Sequence, residues 1–177
     1  MRTTILSLFI KPLDLISKSF GVKQVKFALF INQNNVKMKK SIQTKHELQA
    51  SIKNVWSLIR SGANWEDWFP ILTGSRVEGT NRYCDLDNGD ILEEKFLASE
   101  AENTFIYNVH KQNSFPANNI VAIMRLEELN AEKTGLTWSV DFDVETEGAY
   151  VEIKGHIEQI YKTAASELTK LATSIMV

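Results

Sequence analysis

The chain has 177 residues, a length that suits one domain with a sizeable core. Hydrophobic residues make up 44% of it and charged residues 24%, and the net charge of −2 excludes the strongly basic field of a nucleic-acid-binding protein. The single cysteine, Cys84, excludes an internal disulfide, and no apolar run is long enough to span a bilayer, so we expect a cytoplasmic protein.

The charge is unevenly distributed along the chain. Residues 1–40 hold eight basic side chains and one acid, for a charge of +7, whereas residues 41–177 carry −9. The spacing of an amphipathic helix is met by Ile5, Phe9, Leu13, Ile16 and Phe20. Three interpretations remain open: a helix that packs on the surface of the domain, a helix that contacts an anionic membrane through residues 1–20, or an upstream extension before a natural start at Met38. We place the domain boundary between residues 40 and 41.

Residues 41–70 predict one strand and two short helices. "SIQTKHEL", which starts at Ser41, alternates between apolar and polar residues as a half-buried strand does. Ser51 is a good N-cap for the helix "SIKNVWSLIRSG", which ends at Gly62. "NWEDWFP" predicts a second, short helical turn that Pro70 closes.

Six further strands and a long helix follow. Turn-forming residues separate strands at Gly74–Glu78, Asn81–Leu86, Ile91–Ser99, Thr104–Lys111, Asn119–Leu129 and Leu136–Val144. A helix from about Ala149 to Met176 is predicted by the apolar stripe Ile153, Ile157, Ile160, Ala164, Leu168, Leu171 and Ile175. Short connections imply antiparallel neighbours. The sequence therefore predicts an α+β fold, in which a curved antiparallel sheet of about seven strands wraps around the long C-terminal helix and encloses a cavity.

Several stretches, in this order, resemble the START-like helix-grip superfamily (SRPBCC), and within it the polyketide cyclase/dehydrase and lipid transport branch. They are "ASIKNVWSLI", "WEDWFPILTGSRVEG", "DNGDILEEKF", "FIYNV", "FPANNIVAIMRLEEL" and "TGLTWSVDF". Together they cover nearly everything from Ser41 to Val177. The resemblance implies an apolar small molecule held between the sheet and the long helix, and some members of the superfamily catalyse cyclisation or dehydration. The more distant plant abscisic-acid receptors are similar in layout, which implies that Glu94 faces the pocket and that the loop "QNSFPANN" closes over the ligand.

Strand alternation predicts which side chains line the cavity. Each strand is oriented with its more apolar face inward. The candidate ligand-binding residues are Arg82, Cys84, Leu92, Glu94, Phe96, Tyr107, Val109, Phe115, Ala122, Met124, Trp138 and Val140. The pocket is expected to be bounded by the long helix together with Phe96, Tyr107, Met124 and Trp138. Plain core packing is the alternative for most of this set.

Glu94 is a carboxylate in the middle of an apolar strand face, between Leu92 and Phe96. Desolvation there would favour its neutral form, which suits a polar anchor for a ligand or an acid–base group. If Arg82 pairs with it instead, the charged form is favoured and Glu94→Gln should destabilise the protein. A solvated position at the rim is the alternative for Arg82.

Cys84 is expected to be a buried, inert thiol, because neither a histidine nor a helix N-terminus adjoins it. The three histidines have no metal-ligand spacing. We therefore predict neither a metal nor a cofactor.

Three functions remain open. The first is binding or carriage of an apolar or amphipathic small molecule, such as a lipid, quinone, polyketide or aromatic compound. The second is a cyclase or dehydratase that uses Glu94 as acid or base while Tyr107 polarises an oxygen. The third is a membrane-surface module that delivers lipid and uses the basic N-terminus. Carriage is favoured because no acid–base–nucleophile set is recognisable.

Removal of residues 1–37 should leave the fold intact, because the predicted core begins after them. The thermal midpoint of the shortened chain is expected within a few degrees of the full chain's. A shortened chain that fails to fold would make the segment part of the domain. If the segment contacts membranes, the full chain but not the shortened one should pellet with anionic vesicles at low salt.

Overall fold

The computed structural model describes residues 37–175. The predicted N-terminal helix, its membrane contact through residues 1–20 and the predicted helix end at Met176 lie outside this range. In chain order the elements are β1 (Met38–Leu48), α1 (Ile52–Ile59), a 3₁₀ turn (Trp65–Asp67), β2 (Leu72–Glu78), β3 (Asn81–Leu86), β4 (Ile91–Ser99), β5 (Thr104–Lys111), β6 (Asn118–Asn130), β7 (Lys133–Val144) and α2 (Glu147–Ser174). The predicted order of strand, two short helices, six strands and long helix is confirmed.

All seven strands form one antiparallel sheet in the order β1-β7-β6-β5-β4-β3-β2. Strands β2 to β7 follow one another as a meander, because each connection is too short to cross over a neighbour. The long-range pairing is that of β1 with β7, whose register runs from Met38 opposite Val144 to Leu48 opposite Thr134. The first and second strands of the chain therefore form the two edges of the sheet.

The first strand begins at Met38, so the predicted domain boundary at residue 41 is three residues late. The boundary had been drawn from charge, but Lys39 and Lys40 continue the alternation of the strand. The Lys40 ammonium lies 2.7 Å from Glu147 Oε2 and 4.6 Å from the centroid of the Tyr150 ring. A basic residue at this edge of the sheet thus contacts the start of α2.

The long helix packs against β1, β7 and α1. Its buried residues are Ile153, Tyr161, Ala164, Ala165, Leu168 and Ala172. Asn54 of α1 donates to the carbonyls of Ala172 at 3.0 Å and Ile175 at 3.4 Å, which have no partners within the helix. One end of α2 is thereby held by α1. No helix within residues 37–175 is long and apolar enough to cross a membrane.

Candidate functional site

A cavity lies between the inner face of the sheet and α2, and residues 65–72 contribute a further wall. Nine of the predicted ligand-binding residues line it, namely Arg82, Cys84, Leu92, Glu94, Tyr107, Val109, Phe115, Ala122 and Val140. Among the residues of 37–175 that line it, Arg82 and Glu94 are the only charged ones. Alternation therefore identified the inward faces of the strands, while the role of these residues in ligand binding stays a prediction.

Three predicted residues lie outside the wall, and the expected boundary of the pocket was wrong in this respect. Phe96 stacks on Phe105 with ring centroids 5.0 Å apart, beneath Gly62. Met124 is buried in the core. Trp138 stacks on Tyr161 at 3.9 Å, and it is Tyr161 that meets the cavity. Alternation gives the face on which a side chain lies, but not how far along the strand the cavity extends.

Other wall residues were absent from the predicted set. They are Trp65, Phe69, Ile71, Leu72, Ala117, Ile120, Phe142, Ile153, Ile157, Ile160 and Tyr161. The helical members carried a usable signal, because Tyr161 follows Ile153 and Ile157 at four-residue spacing. Nothing in the local sequence around Trp65 indicated that it would line a cavity.

Arg82 and Glu94 form a buried ion pair across strands β3 and β4, where they stand opposite each other. Arg82 Nε and Nη2 approach Glu94 Oε2 at 2.6 and 2.5 Å, and the two side chains are only 1% and 3% exposed. The guanidinium carbon lies 3.6 Å from the centroid of the Trp65 ring, a cation–π contact. A rim position for Arg82 is therefore wrong, and the structure contains the predicted alternative in which Arg82 pairs with Glu94.

The Cys84 thiol lies 3.8 Å from the same carboxylate oxygen, Glu94 Oε2. Burial, and after it the charge of Glu94, raise the pKa of Cys84 to about 12. The thiol therefore stays protonated at neutral pH, as expected for an inert buried cysteine. A nucleophilic role has no support in this geometry.

Two phenols occupy the wall beside the ion pair. The Tyr107 hydroxyl accepts a hydrogen bond from Trp138 Nε1 at 3.2 Å, and the Tyr161 hydroxyl lies near enough to influence its pKa. Burial is the main cause that raises the pKa of both tyrosines, and the Glu94 charge raises that of Tyr107 further. Both hydroxyls are therefore neutral hydrogen-bonding groups at physiological pH.

The loop between β5 and β6 stands at the edge of the cavity and inserts Phe115 into its wall. The Gln112 side chain donates to the carbonyls of Phe115 at 3.0 Å and Ala117 at 2.9 Å, and accepts from the Phe115 amide at 2.7 Å. Asp90, before β4, accepts from the Asn113 amide at 3.0 Å. The loop is thus held by hydrogen bonds within itself and by a hydrogen bond to the turn before β4.

The cavity is small and only partly enclosed. Phe115, Ile71 and Ile160 line both the cavity and a depression on the outer surface, so they form the partition between the two. The cavity has a volume of about 80 Å³. A cavity of roughly 150 Å³ is known to hold benzene. A ring-sized ligand therefore requires the wall to widen.

Within residues 37–175, no three His, Cys, Asp or Glu side chains converge as metal ligands would. The polar groups of the cavity are a neutralised ion pair, a protonated thiol and two phenols. Such a set can orient a ligand by hydrogen bonds, but it contains no free base or activated nucleophile.

Comparison with known proteins identifies a family and a fold. The family model described as "Polyketide cyclase / dehydrase and lipid transport" matches residues 39–173. No curated protein matches the sequence at a significant level.

Solved structures with 14–23% identity share the fold. The protein XoxI from Bacillus cereus is 23% identical, with a TM-score of 0.66 over 73% of this chain and 93% of its own. The Zhui aromatase/cyclase from Streptomyces sp. R1128 is 14% identical, with a TM-score of 0.66 over 77% of this chain and 94% of its own. A START superfamily protein from Mycobacterium smegmatis is 14% identical, with a TM-score of 0.67 over 77% and 99%. The predicted helix-grip fold is confirmed.

Glu94→Gln should lower the free energy of unfolding by about 3–5 kcal/mol at pH 7, because it leaves the buried charge of Arg82 without a partner. The matched control is Glu93→Gln, which removes a carboxylate that pairs with Lys111 on the outer face. That change is expected to cost less than about 1 kcal/mol. Urea unfolding of both variants measures the difference, and equal losses would contradict the importance of the buried pair.

Cys84 should make stability depend on alkaline pH. Its pKa rises from 9.0 to about 12 on folding, so the native state keeps a proton that the unfolded chain loses. The resulting stabilisation is complete below about pH 9 and is lost as the pH rises towards about 12. Cys84→Ala should flatten this part of the unfolding free-energy profile. At pH 8.5 iodoacetamide should label the wild-type thiol readily in urea and only slowly in the folded protein, and equal rates would contradict the burial.

Proposed function

Because the chain belongs to the polyketide cyclase/dehydrase and lipid transport family, we propose that it binds and carries a small apolar or amphipathic molecule. The observation that carries this proposal is the apolar cavity, in which the two charged residues neutralise each other. Apolar walls with a few polar groups are the usual composition of a small-molecule site. Because Arg82 is paired with Glu94 and Cys84 stays protonated, these residues support ligand binding better than they support catalysis.

The cyclase or dehydratase alternative requires a group that exchanges a proton with the substrate. Glu94 was the candidate, but its Oε2 is held by two nitrogens of Arg82, so protonation there would break a buried ion pair. The likeness to the aromatase/cyclase, at 14% identity, concerns the fold alone. The lipid-delivery alternative depends on residues 1–20, which are outside the described part of the chain, and the vesicle experiment tests it.

Ligand entry requires movement of the partition formed by Phe115, Ile71 and Ile160. Phe115 and Ile71 lie outside helices and strands, whereas Ile160 belongs to α2, which is held at one end by Asn54. Displacement of Phe115 therefore disturbs less regular structure than displacement of Ile160 does. Its movement would join the cavity to the outer depression.

Ala122→Phe should weaken the binding of 2-isopropylnaphthalene at least tenfold, because Ala122 is fully buried in the cavity wall and a larger side chain fills the space. The matched control is Ile123→Phe, the next residue of β6 on the opposite face, which should leave the affinity unchanged. Equilibrium dialysis measures both, with circular dichroism to establish folding. Wild-type emission should respond through Trp65, which lines the cavity, and not through Trp138. An unchanged affinity in folded Ala122→Phe would place the site elsewhere.

A further inference from the structure

The hydroxyl groups of Tyr107 and Tyr161 carry more donor hydrogens than the described residues around them accept in hydrogen bonds. The Tyr107 oxygen accepts from Trp138 Nε1, and the Tyr161 hydroxyl is its neighbour in the wall. Two hydroxyls carry two hydrogens, and at most one of these can be accepted by the other hydroxyl, so at least one hydrogen remains. No described residue accepts it. This leftover donor belongs to a pair of side chains that both line the cavity.

The guanidinium is the other donor in the wall. Arg82 directs Nε and Nη2 to Glu94, and its third nitrogen, Nη1, has no hydrogen-bond partner but is buried with almost no accessible surface. The donor that a ligand meets is therefore a phenol and not the guanidinium. Trp138 fixes the position of that phenol, because its ring stacks on Tyr161 while its Nε1 bonds to Tyr107.

The charge of the cavity limits the ligand in a second way. The wall contains one positive and one negative side chain, paired at 2.5 Å, so its net charge is zero. A carboxylate or an ammonium on the ligand would add a buried charge with no counter-ion, and such a charge costs several kcal/mol. The same cost does not apply to a carbonyl or hydroxyl oxygen that finds a donor.

We propose that the ligand is a neutral molecule carrying a carbonyl or hydroxyl oxygen, which accepts a hydrogen bond from the Tyr107–Tyr161 pair. This inference rests on the proposed function, since it assigns the polar end of the same cavity. It sets free fatty acids and other carboxylates apart from ketones, quinones and phenols, and favours the second group.

The test uses three naphthalenes that share one ring system and differ in one substituent. They are 2-acetylnaphthalene, its shape-matched hydrocarbon 2-isopropylnaphthalene, and the anion 2-naphthoate. By equilibrium dialysis at pH 8, wild-type protein should bind the ketone about 3- to 10-fold more tightly than the hydrocarbon, the usual contribution of one hydrogen bond. The naphthoate should bind at least about 30-fold more weakly than the ketone.

Tyr107→Phe combined with Tyr161→Phe removes both hydroxyls and should abolish the preference for the ketone while leaving hydrocarbon affinity intact. The matched control is Tyr83→Phe, which lies on β3 beside Arg76 and outside the cavity wall. Equal binding of ketone and hydrocarbon by wild-type protein, or naphthoate binding as tight as that of the ketone, would overturn this inference and leave the proposed function standing. Failure of all three compounds to bind would overturn both.

Discussion

The buried pair of Arg82 and Glu94 is the constraint on which the cavity depends. Removal of two charges from water costs several kcal/mol for each ion, and only close contact together with further favourable interactions offsets it. Here the contact is two donors on one oxygen, and the further interaction is the face of Trp65 over the guanidinium. Trp65 belongs to the 3₁₀ turn that precedes the wall segment ending at Leu72. The ion pair between β3 and β4 thus contacts Trp65 and helps to position the cavity wall formed by residues 65–72.

The same pair helps to explain why the titratable groups around it stay protonated at neutral pH. The negative charge of Glu94 adds to burial in keeping the Cys84 thiol and the Tyr107 phenol protonated. Because Arg82 balances that charge locally, the cavity as a whole offers no field to attract an ion. The cavity is therefore polar at one place and neutral overall among its described wall residues.

Much of this arrangement could be predicted from the sequence, and the parts that could not be predicted have a physical reason. Period-two alternation placed Cys84, Leu92 and Glu94 on the inner face, because side-chain direction is a local property of a strand. The pairing of β1 with β7 and the placement of Trp65 depend on contacts distant in sequence, on which no local pattern reports. For Glu94, the sequence offered two outcomes that differed only in whether Arg82 reached it. That choice was decided by the register of β3 on β4.

The fastening of the loop by Gln112 has a kinetic consequence. The cavity is smaller than a ring-sized guest requires, and on the proposed route such a guest enters by displacement of Phe115, whose backbone Gln112 holds by its amide and its carbonyl. The slow step of both entry and exit is then the displacement of the loop that carries Phe115. The rate of that displacement sets the same upper limit on exchange for every guest. Residence times would accordingly differ less among guests than equilibrium affinities do.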